Sequence, residues 1–280
     1  VSMGLSESEP NALWVYAFFF NSEGKLQSAW SKWAFSTEDK ILSASFIESS
    51  LYLIVVRGSK TYIDVVSLES GAVDTGSSIS FRLDRGVDAV EDCAVVYDGT
   101  YTDFTLPYDT LAELVVVVRG DDETYAEGLI VPHQCPDTST VRLTGDWTGS
   151  CLLIGQKFTA RYRFSTFYMR SSEAGGGVGA SANGRLQLRY LALDYAQTGF
   201  FRLRSKPRGR DWNEKVFSGR TLGVESGTLG ELHLATGRSR MAIMSRNTDA
   251  TIEIVCDSPL PASFTSAEWE ATYVTRARKF

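Results

Sequence analysis

The chain has 280 residues, of which 43% are hydrophobic, 22% are charged and 12% are aromatic, and its formal net charge is -6. This composition excludes a collagen-like, coiled-coil or disordered chain, and no stretch approaches the ~18 uncharged apolar residues of a membrane-spanning helix. A chain of this length buries about 75% of its extended surface, so one large or two ordinary domains can fold without disulfides or metal.

The charges are divided unevenly along the chain. Residues 1–150 contain 9 Lys and Arg against 23 Asp and Glu, a net charge of -14, whereas residues 151–280 contain 19 against 11, a net charge of +8. This distribution argues against a uniformly basic nucleic-acid-binding protein. Two hypotheses stay open: the halves pack against each other, within the chain or between copies, or both face water.

Most predicted elements in the first half are β-strands, because apolar stretches of strand length alternate with turn residues. Leu13–Phe20 is apolar at successive positions, which predicts a strand covered on both faces. Leu51–Val56 and Tyr62–Leu68 flank the turn residues 57–60 and predict a hairpin. Large aromatic residues between small ones fill gaps between β-layers, so we predict core positions for Trp30, Trp33 and Trp147.

Strands are also predicted in the second half. Residues 158–164 and 251–256 alternate between apolar and polar side chains, which predicts one buried and one solvated face for each strand. In this pattern Tyr162 lies on a buried face and Glu253 on a solvated face. The best helix candidate is Ser266–Tyr273, which is short.

Two segments differ from the strands. Ser171–Gly184 is rich in glycine and small polar residues, which predicts a flexible hairpin tip or a disordered loop. The acidic half ends at Gly145–Gly149, where we place a soft boundary between an acidic β region, 1–144, and a basic β region, 145–280. The predicted fold class is mainly β, with many short antiparallel strands in propeller-like or sandwich-like sheets and very little helix.

The residues that could carry chemistry do not form a recognisable site. The four cysteines lie in no CxxC pair and have no histidine at metal-ligand spacing, so we expect reduced, mostly buried thiols and no metal or cofactor. There is no GxSxG nucleophile motif. Asp146, Glu268 and Glu270 lie beside tryptophan, as acids in sugar-cleaving sites often do, but the sequence does not fix their separation. We therefore predict no catalytic residue.

The clearest local pattern is cationic. Basic residues occupy every second position from 202 to 210, while Phe201 and Leu203 fill two of the alternate positions. An extended chain would project these cations from one face. The five cations are Arg202, Arg204, Lys206, Arg208 and Arg210. They could contact DNA phosphates, dock on the acidic half of a neighbouring subunit, face water, or protect an edge strand from unwanted pairing. Pro207 and Gly209 predict a turn at the far end.

A series of short sequence strings occurs in a fixed order over almost the whole chain. The strings are Gln27–Trp33 (QSAWSKW), Leu83–Arg85 (LDR), Gly145–Gly149 (GDWTG), Phe164–Tyr168 (FSTFY), Gly184–Tyr190 (GRLQLRY), Phe217–Arg220 (FSGR), Asp257–Pro261 (DSPLP), Phe264–Glu270 (FTSAEWE) and Arg276–Phe280 (RARKF). Together they resemble the C-terminal part of the tail tubular protein B family, the tail nozzle proteins of short-tailed podoviruses. Since the chain begins with valine, we expect a fragment or a matured chain.

The resemblance implies a structural function. Proteins of this family form a hexameric ring below the adaptor, tail tubular protein A, and tail fibres attach near that junction. The ring retains DNA in the virion and guides it out during ejection, which implies transient, non-specific contact with phage DNA. The implied location is the virion tail, assembled in the cytoplasm of the bacterial host. The implied fold is rich in β-propeller-like sheet, and no catalytic residue is carried over.

Two other functions stay open at this point. The first is a tail-associated polysaccharide hydrolase that uses Asp146 or the pair Glu268 and Glu270. The second is a glycan- or receptor-binding module without turnover.

Overall fold

The computed structural model describes residues 2–5, 8–21, 24–68, 79–110, 113–120, 124–172, 178–180, 184–219 and 232–275. Within these residues the backbone is mainly β, all strand pairs are antiparallel, and the helical content is one 3-10 turn at Asn247–Asp249. The predicted fold class is confirmed. By internal contacts the chain divides into two compact units, Val1–Ala72 and Val73–Phe280. The charge change at Gly145 lies inside the second unit.

The first unit consists of two three-stranded sheets, each formed by consecutive strands. Their strands are β1 Ser2–Leu5, β2 Ala12–Asn21 and β3 Gly24–Ala34 in one sheet, and β4 Lys40–Ile47, β5 Ser50–Arg57 and β6 Lys60–Ser67 in the other. The predicted hairpin is confirmed, since β5 and β6 pair from Ser50↔Ser67 to Arg57↔Lys60. Gly58 takes a φ of +58° in the intervening turn, a conformation that glycine adopts without strain.

One apolar cluster fills the first unit between its sheets. The cluster consists of Leu13, Val15, Ile41, Leu51, Leu53 and Val55, with Trp33 and Phe35 packed against it. The prediction that β2 is covered on both faces is wrong, because Trp14 and Phe18 are 41% and 44% exposed. The core prediction for Trp30 is also wrong: its side chain is 63% exposed, with its ring centroid 4.9 Å from that of Tyr16.

The second unit begins with two further three-stranded sheets, ordered β10-β12-β7 and β11-β9-β8. Their strands are β7 Asp84–Asp88, β8 Ala94–Tyr97, β9 Tyr101–Thr105, β10 Leu114–Val118, β11 Thr140–Thr144 and β12 Leu152–Gln156. The core prediction for Trp147 is confirmed, since the residue is 7% exposed and its indole Nε1–H donates to the Thr144 carbonyl oxygen at 3.0 Å.

The remainder of the second unit is a β-sandwich. Its sheets have the orders β13-β20-β17-β18 and β19-β16-β21, and a separate hairpin pairs β14 with β15. The strands are β13 Ala160–Arg163, β14 Arg170–Ser172, β15 Val178–Ala180, β16 Gly184–Thr198, β17 Phe201–Pro207, β18 Asn213–Phe217, β19 Ala235–Arg246, β20 Ala250–Cys256 and β21 Ser263–Thr275. One buried cluster contains Leu191 from β16, Leu203 from β17, Ile243 from β19 and Ile254 from β20, so the two large sheets pack face to face.

Strand β21 replaces the predicted helix at Ser266–Tyr273, and that prediction is wrong. The strand pairs with β16 from Gly184↔Thr275 to Ala196↔Ser263. Trp269 and Tyr273 pack against the sandwich core, while Glu268 lies on the solvent side. Pairing with a partner strand and burial of alternate side chains therefore outweigh the helix propensity of Ala and Glu in this segment.

Two predicted alternations differ from the structure. The strand predicted at 158–164 is shorter, Ala160–Arg163, and Tyr162 is 60% exposed instead of buried. On β20 the apolar positions are buried as predicted, but Glu253 is fully buried as well. The solvated-face prediction for Glu253 is wrong because β20 lies between β13 and β17, whose side chains cover its outer face.

The glycine-rich segment Ser171–Gly184 includes part of a confirmed hairpin, since β14 pairs with β15. Residues 173–177 and 181–183, which carry the prediction of a flexible tip, lie outside the described residues. All four cysteines are described and are free thiols; Cys256 is buried, but Cys135 and Cys151 are exposed, so the expectation of mostly buried thiols is wrong for these two.

Gly155 offers a test of the packing between β12 and β7. A Cβ atom at this position would lie 2.8 Å from Leu83 Cβ and 3.1 Å from Gly86 Cα, so Gly155→Ala must displace the neighbouring chain. We expect the free energy of unfolding to fall by about 1–3 kcal/mol, as for other overpacked cores.

The matched control is Gly149→Ala, because no atom lies within 4 Å of the added methyl group. We expect this variant to stay within about 0.5 kcal/mol of the parent protein. Equal urea-denaturation midpoints for the two variants would contradict the close packing at Gly155.

Candidate functional site: the cationic surface around strand β17

The predicted row of cations is divided by the end of β17. Phe201, Leu203 and Ser205 are buried, so Arg202, Arg204 and Lys206 share the opposite face of the strand, as the alternation predicts. Arg208 and Arg210 lie beyond the strand in a turn. There the Arg208 N–H donates to the Asp249 carbonyl oxygen at 2.6 Å and the Arg210 N–H donates to the Pro207 carbonyl oxygen at 3.1 Å. The predicted turn is confirmed.

β17 is an internal strand, so the hypothesis that its cations protect an exposed edge is wrong. It pairs with β20 through Arg202↔Val255 to Pro207↔Ala250, and with β18 through Phe201↔Phe217 to Ser205↔Asn213.

The cations on β17 have partners within the same unit. Arg202 forms ion pairs with Asp257 and, at 3.5 Å, with Glu214. Arg204 Nη2 donates to Glu253 Oε2 at 2.9 Å. The guanidinium of Arg204 and the ammonium of Lys206 also lie 4.4 and 5.8 Å from the ring centroid of Trp212. Of the five predicted contact residues, Arg202 and Arg204 therefore form ion pairs with carboxylates, and Arg204 shares its carboxylate with Arg163.

Glu253 is the centre of a buried ionic cluster. Its side chain is 1% exposed, and its two oxygens accept from arginines on both neighbouring strands. Arg163 Nε donates to Oε1 at 2.8 Å from β13, and Arg204 donates to Oε2 from β17. Arg161 Nε lies 3.8 Å from Oε2. Burial by itself would raise the pKa of Glu253, but hydrogen bonds from Arg204 and Arg163 outweigh that effect and hold the pKa below its ordinary value.

Arg208 and Arg210 belong to a different cluster. They line an open groove of about 800 Å³ together with Arg185, from the start of β16, and Arg246, from the end of β19. Among the described residues, these four arginines form no ion pair with a carboxylate within 4.0 Å. Arg185 and Arg246 were not among the predicted contact residues, since no local pattern marks either as a contact and only the fold brings them beside the turn.

The acids considered for sugar cleavage are bound by their neighbours. Glu270 accepts from Arg240 Nη2 at 2.6 Å, and Glu268 forms an ion pair with Arg238. Asp146 accepts from the Thr148 N–H at 3.1 Å, and this backbone hydrogen bond lowers the pKa of its carboxyl. A general acid for glycoside hydrolysis needs a raised pKa, which the lowered pKa of Asp146 does not offer.

Two further classes of site are not found in the described part of the chain. It contains no group of three or more His, Cys, Asp or Glu side chains arranged to hold a metal ion. No helix in the described ranges is long and apolar enough to cross a membrane.

The buried ionic cluster can be tested with Glu253→Gln. The substitution keeps the side-chain volume but leaves Arg204, which is 16% exposed, without a buried counter-charge. We expect a loss of about 3 kcal/mol in the free energy of unfolding at pH 7. The control is Glu268→Gln, which removes a pair whose carboxylate is 65% exposed and should cost less than about 1 kcal/mol.

The stability that Glu253 contributes changes with pH in a direction that follows from its pKa. Since folding lowers the pKa of Glu253, its stabilising contribution is complete above the unfolded-state pKa of about 4.3 and is lost as the pH falls through the lower folded-state pKa. The melting temperatures of the parent and Glu253→Gln should therefore converge below about pH 4. A constant difference down to pH 2 would contradict the assignment.

Comparison with known proteins identifies the family. The family model described as "Bacteriophage nozzle protein" matches residues 1–280. The tail tubular protein gp12 of Escherichia phage T7 is 25% identical over 288 aligned positions, which cover 98% of this chain and 35% of that protein. The chain thus spans about a third of the length of this relative. The match over its whole length shows that the chain belongs to the bacteriophage nozzle protein family.

Proposed function

We propose that the chain is a structural part of a phage tail nozzle. Copies of the nozzle protein form a hexameric ring below the adaptor, and the ring retains the genome in the virion and guides it out during ejection. The observation that carries the proposal is the match of the nozzle family model to residues 1–280. The name of the T7 relative, a tail tubular protein, supports the same function.

The proposed partners are those implied by the family. They are other copies of the nozzle protein, the adaptor (tail tubular protein A), tail fibres, and DNA in transient, non-specific contact. The proposed location is the virion tail, after assembly in the host cytoplasm.

Exposed apolar side chains in the first unit support a role in an assembly. Trp30 is 63% exposed, Ile63 70% and Val65 55%. Contiguous apolar surface is typical of regions that partners cover, and Ile63 and Val65 lie on the same face of β6. Such side chains are more readily explained in a subunit of a larger structure than in an isolated monomer.

We also propose that the chain acts without catalysis. The acids that could flank a glycosidic bond form ion pairs or turn hydrogen bonds with their neighbours. The charged groups of the second unit therefore support the sandwich instead of converging on a substrate.

The assembly can be tested by electron microscopy of the complete nozzle protein that contains this sequence. We expect rings of six copies, alone or in isolated tails. The 280-residue chain by itself should be monomeric or weakly associated at micromolar concentration, as measured by sedimentation. Tails in which the nozzle protein is monomeric would contradict the proposed function.

The absence of catalysis can be tested with capsular and reserve glycans. We expect no release of reducing sugar above that from heat-denatured protein. Release that Glu268→Gln abolishes while the melting temperature is unchanged would show that the chain is a hydrolase. Glycan binding without release, retained in that variant, would instead indicate a receptor-binding module.

A further inference from the structure

The groove lined by Arg185, Arg208, Arg210 and Arg246 differs from the other charged surfaces of the second unit. Several arginines elsewhere in the described part of the sandwich pair with carboxylates: Arg202 with Asp257, Arg238 with Glu268 and Arg240 with Glu270. Arg189, on the exposed side of β16, is an exception and forms no ion pair among the described residues. Four arginines line the groove, and none of them has an ion-pair partner among the described residues; Arg185 Nη2 donates to Gln187 Oε1 at 3.3 Å. An anion that enters the groove therefore meets several positive charges that no described carboxylate offsets.

The other lining residues are suited to an anion of extended shape. Gln187, Ser245 and Thr275 add uncharged hydrogen-bonding groups to the groove wall. Together with arginine, these are the side-chain types that contact phosphate oxygens and sugars in complexes with nucleic acids. Asp249 supplies the one carboxylate of the lining, and its backbone carbonyl oxygen accepts from the Arg208 N–H.

An acidic protein segment fits the groove less well. The hot spots of protein–protein interfaces are enriched in Trp, Tyr and Arg, whereas the described lining contains no aromatic side chain; its apolar residues are Met244, Val274 and Pro207. The guanidinium plane matches a phosphate or a carboxylate in bidentate geometry, and the described lining contains four such groups and no lysine.

We propose that this groove binds the backbone phosphates of a nucleic acid without reading its bases. The inference deepens the proposed nozzle function and rests on it, since it assigns DNA contact to specific residues. Arg185 and Arg246 join Arg208 and Arg210 in this role. Arg202 and Arg204 have a different role, because both form ion pairs with carboxylates within the sandwich.

The test uses the complete protein and a short fluorescein-labelled DNA duplex of mixed sequence, with binding followed by anisotropy. Each phosphate contact contributes about 0.9 to the slope of log affinity against log salt concentration. The variant Arg208→Gln/Arg246→Gln should therefore lower that slope by about 2. The matched control is Arg238→Gln/Arg240→Gln, which removes the same charge from two arginines that already pair with carboxylates and should leave the slope within a few tenths of the parent value.

Three outcomes would overturn the inference. The first is an equal slope for the two variants when both retain the parent melting temperature. The second is an absence of DNA binding by the parent protein. The third is displacement of the duplex by poly-glutamate at a lower concentration than by unlabelled DNA, which would indicate an acidic protein ligand. Rings of six copies formed by a protein that does not bind DNA would overturn this inference and leave the proposed function intact.

Discussion

The buried carboxylate of Glu253 determines how charge is arranged in the second unit. It lies on the central strand β20, and both of its oxygens accept from arginines on the strands at either side. A buried carboxylate without such partners would cost several kcal/mol, so β13 and β17 are held in the register that places Arg163 and Arg204 against it. The same contact positions Arg204 over Trp212, which links the ionic cluster to the loop before β18.

Carboxylates inside the sandwich form ion pairs with some of its arginines. The positions of unpaired positive charge on the surface therefore differ from the positions of the basic residues in the sequence. Arg202 and Arg204 follow the sequence pattern, yet Asp257 and Glu214 offset the charge of Arg202, and Arg204 shares the charge of Glu253 with Arg163. Arg208 and Arg210 lie past the end of β17, where the chain turns and neither residue forms an ion pair within the described ranges. The surface charge of this protein is therefore set by which arginines the fold leaves without a partner.

Most strands can be predicted from the sequence because the evidence for each strand lies in residues that are close together in the chain. Alternation and turn residues locate the β5–β6 hairpin and the buried positions of β17, and ordered strings point to the family. The wrong predictions concern residues whose environment depends on contacts with distant parts of the chain. The arginines that bind Glu253 are 90 and 49 residues away in sequence, so an alternating pattern on β20 alone places this residue in water. Ser266–Tyr273 contains helix-favouring residues, and its strand conformation depends on pairing with β16. Arg185 and Arg246 lie at strand ends that the tertiary fold brings together; Arg185 belongs to the string Gly184–Tyr190, but that string points to the family and not to a groove.

A surface that contacts DNA during passage has to satisfy two opposed requirements. Its field must attract the phosphates, but a large number of simultaneous contacts would hold the DNA in place. Non-specific phosphate contacts give dissociation constants of about 10⁻⁴–10⁻⁶ M at physiological salt and permit sliding, because every phosphate offers the same interaction. A groove whose four arginines form no ion pair with any described carboxylate meets both requirements if the neighbouring cations are paired. The ion pairs within the sandwich contribute to this balance, since they limit the number of phosphate contacts that each subunit can make. The arginines in these pairs are Arg202, Arg204, Arg238 and Arg240.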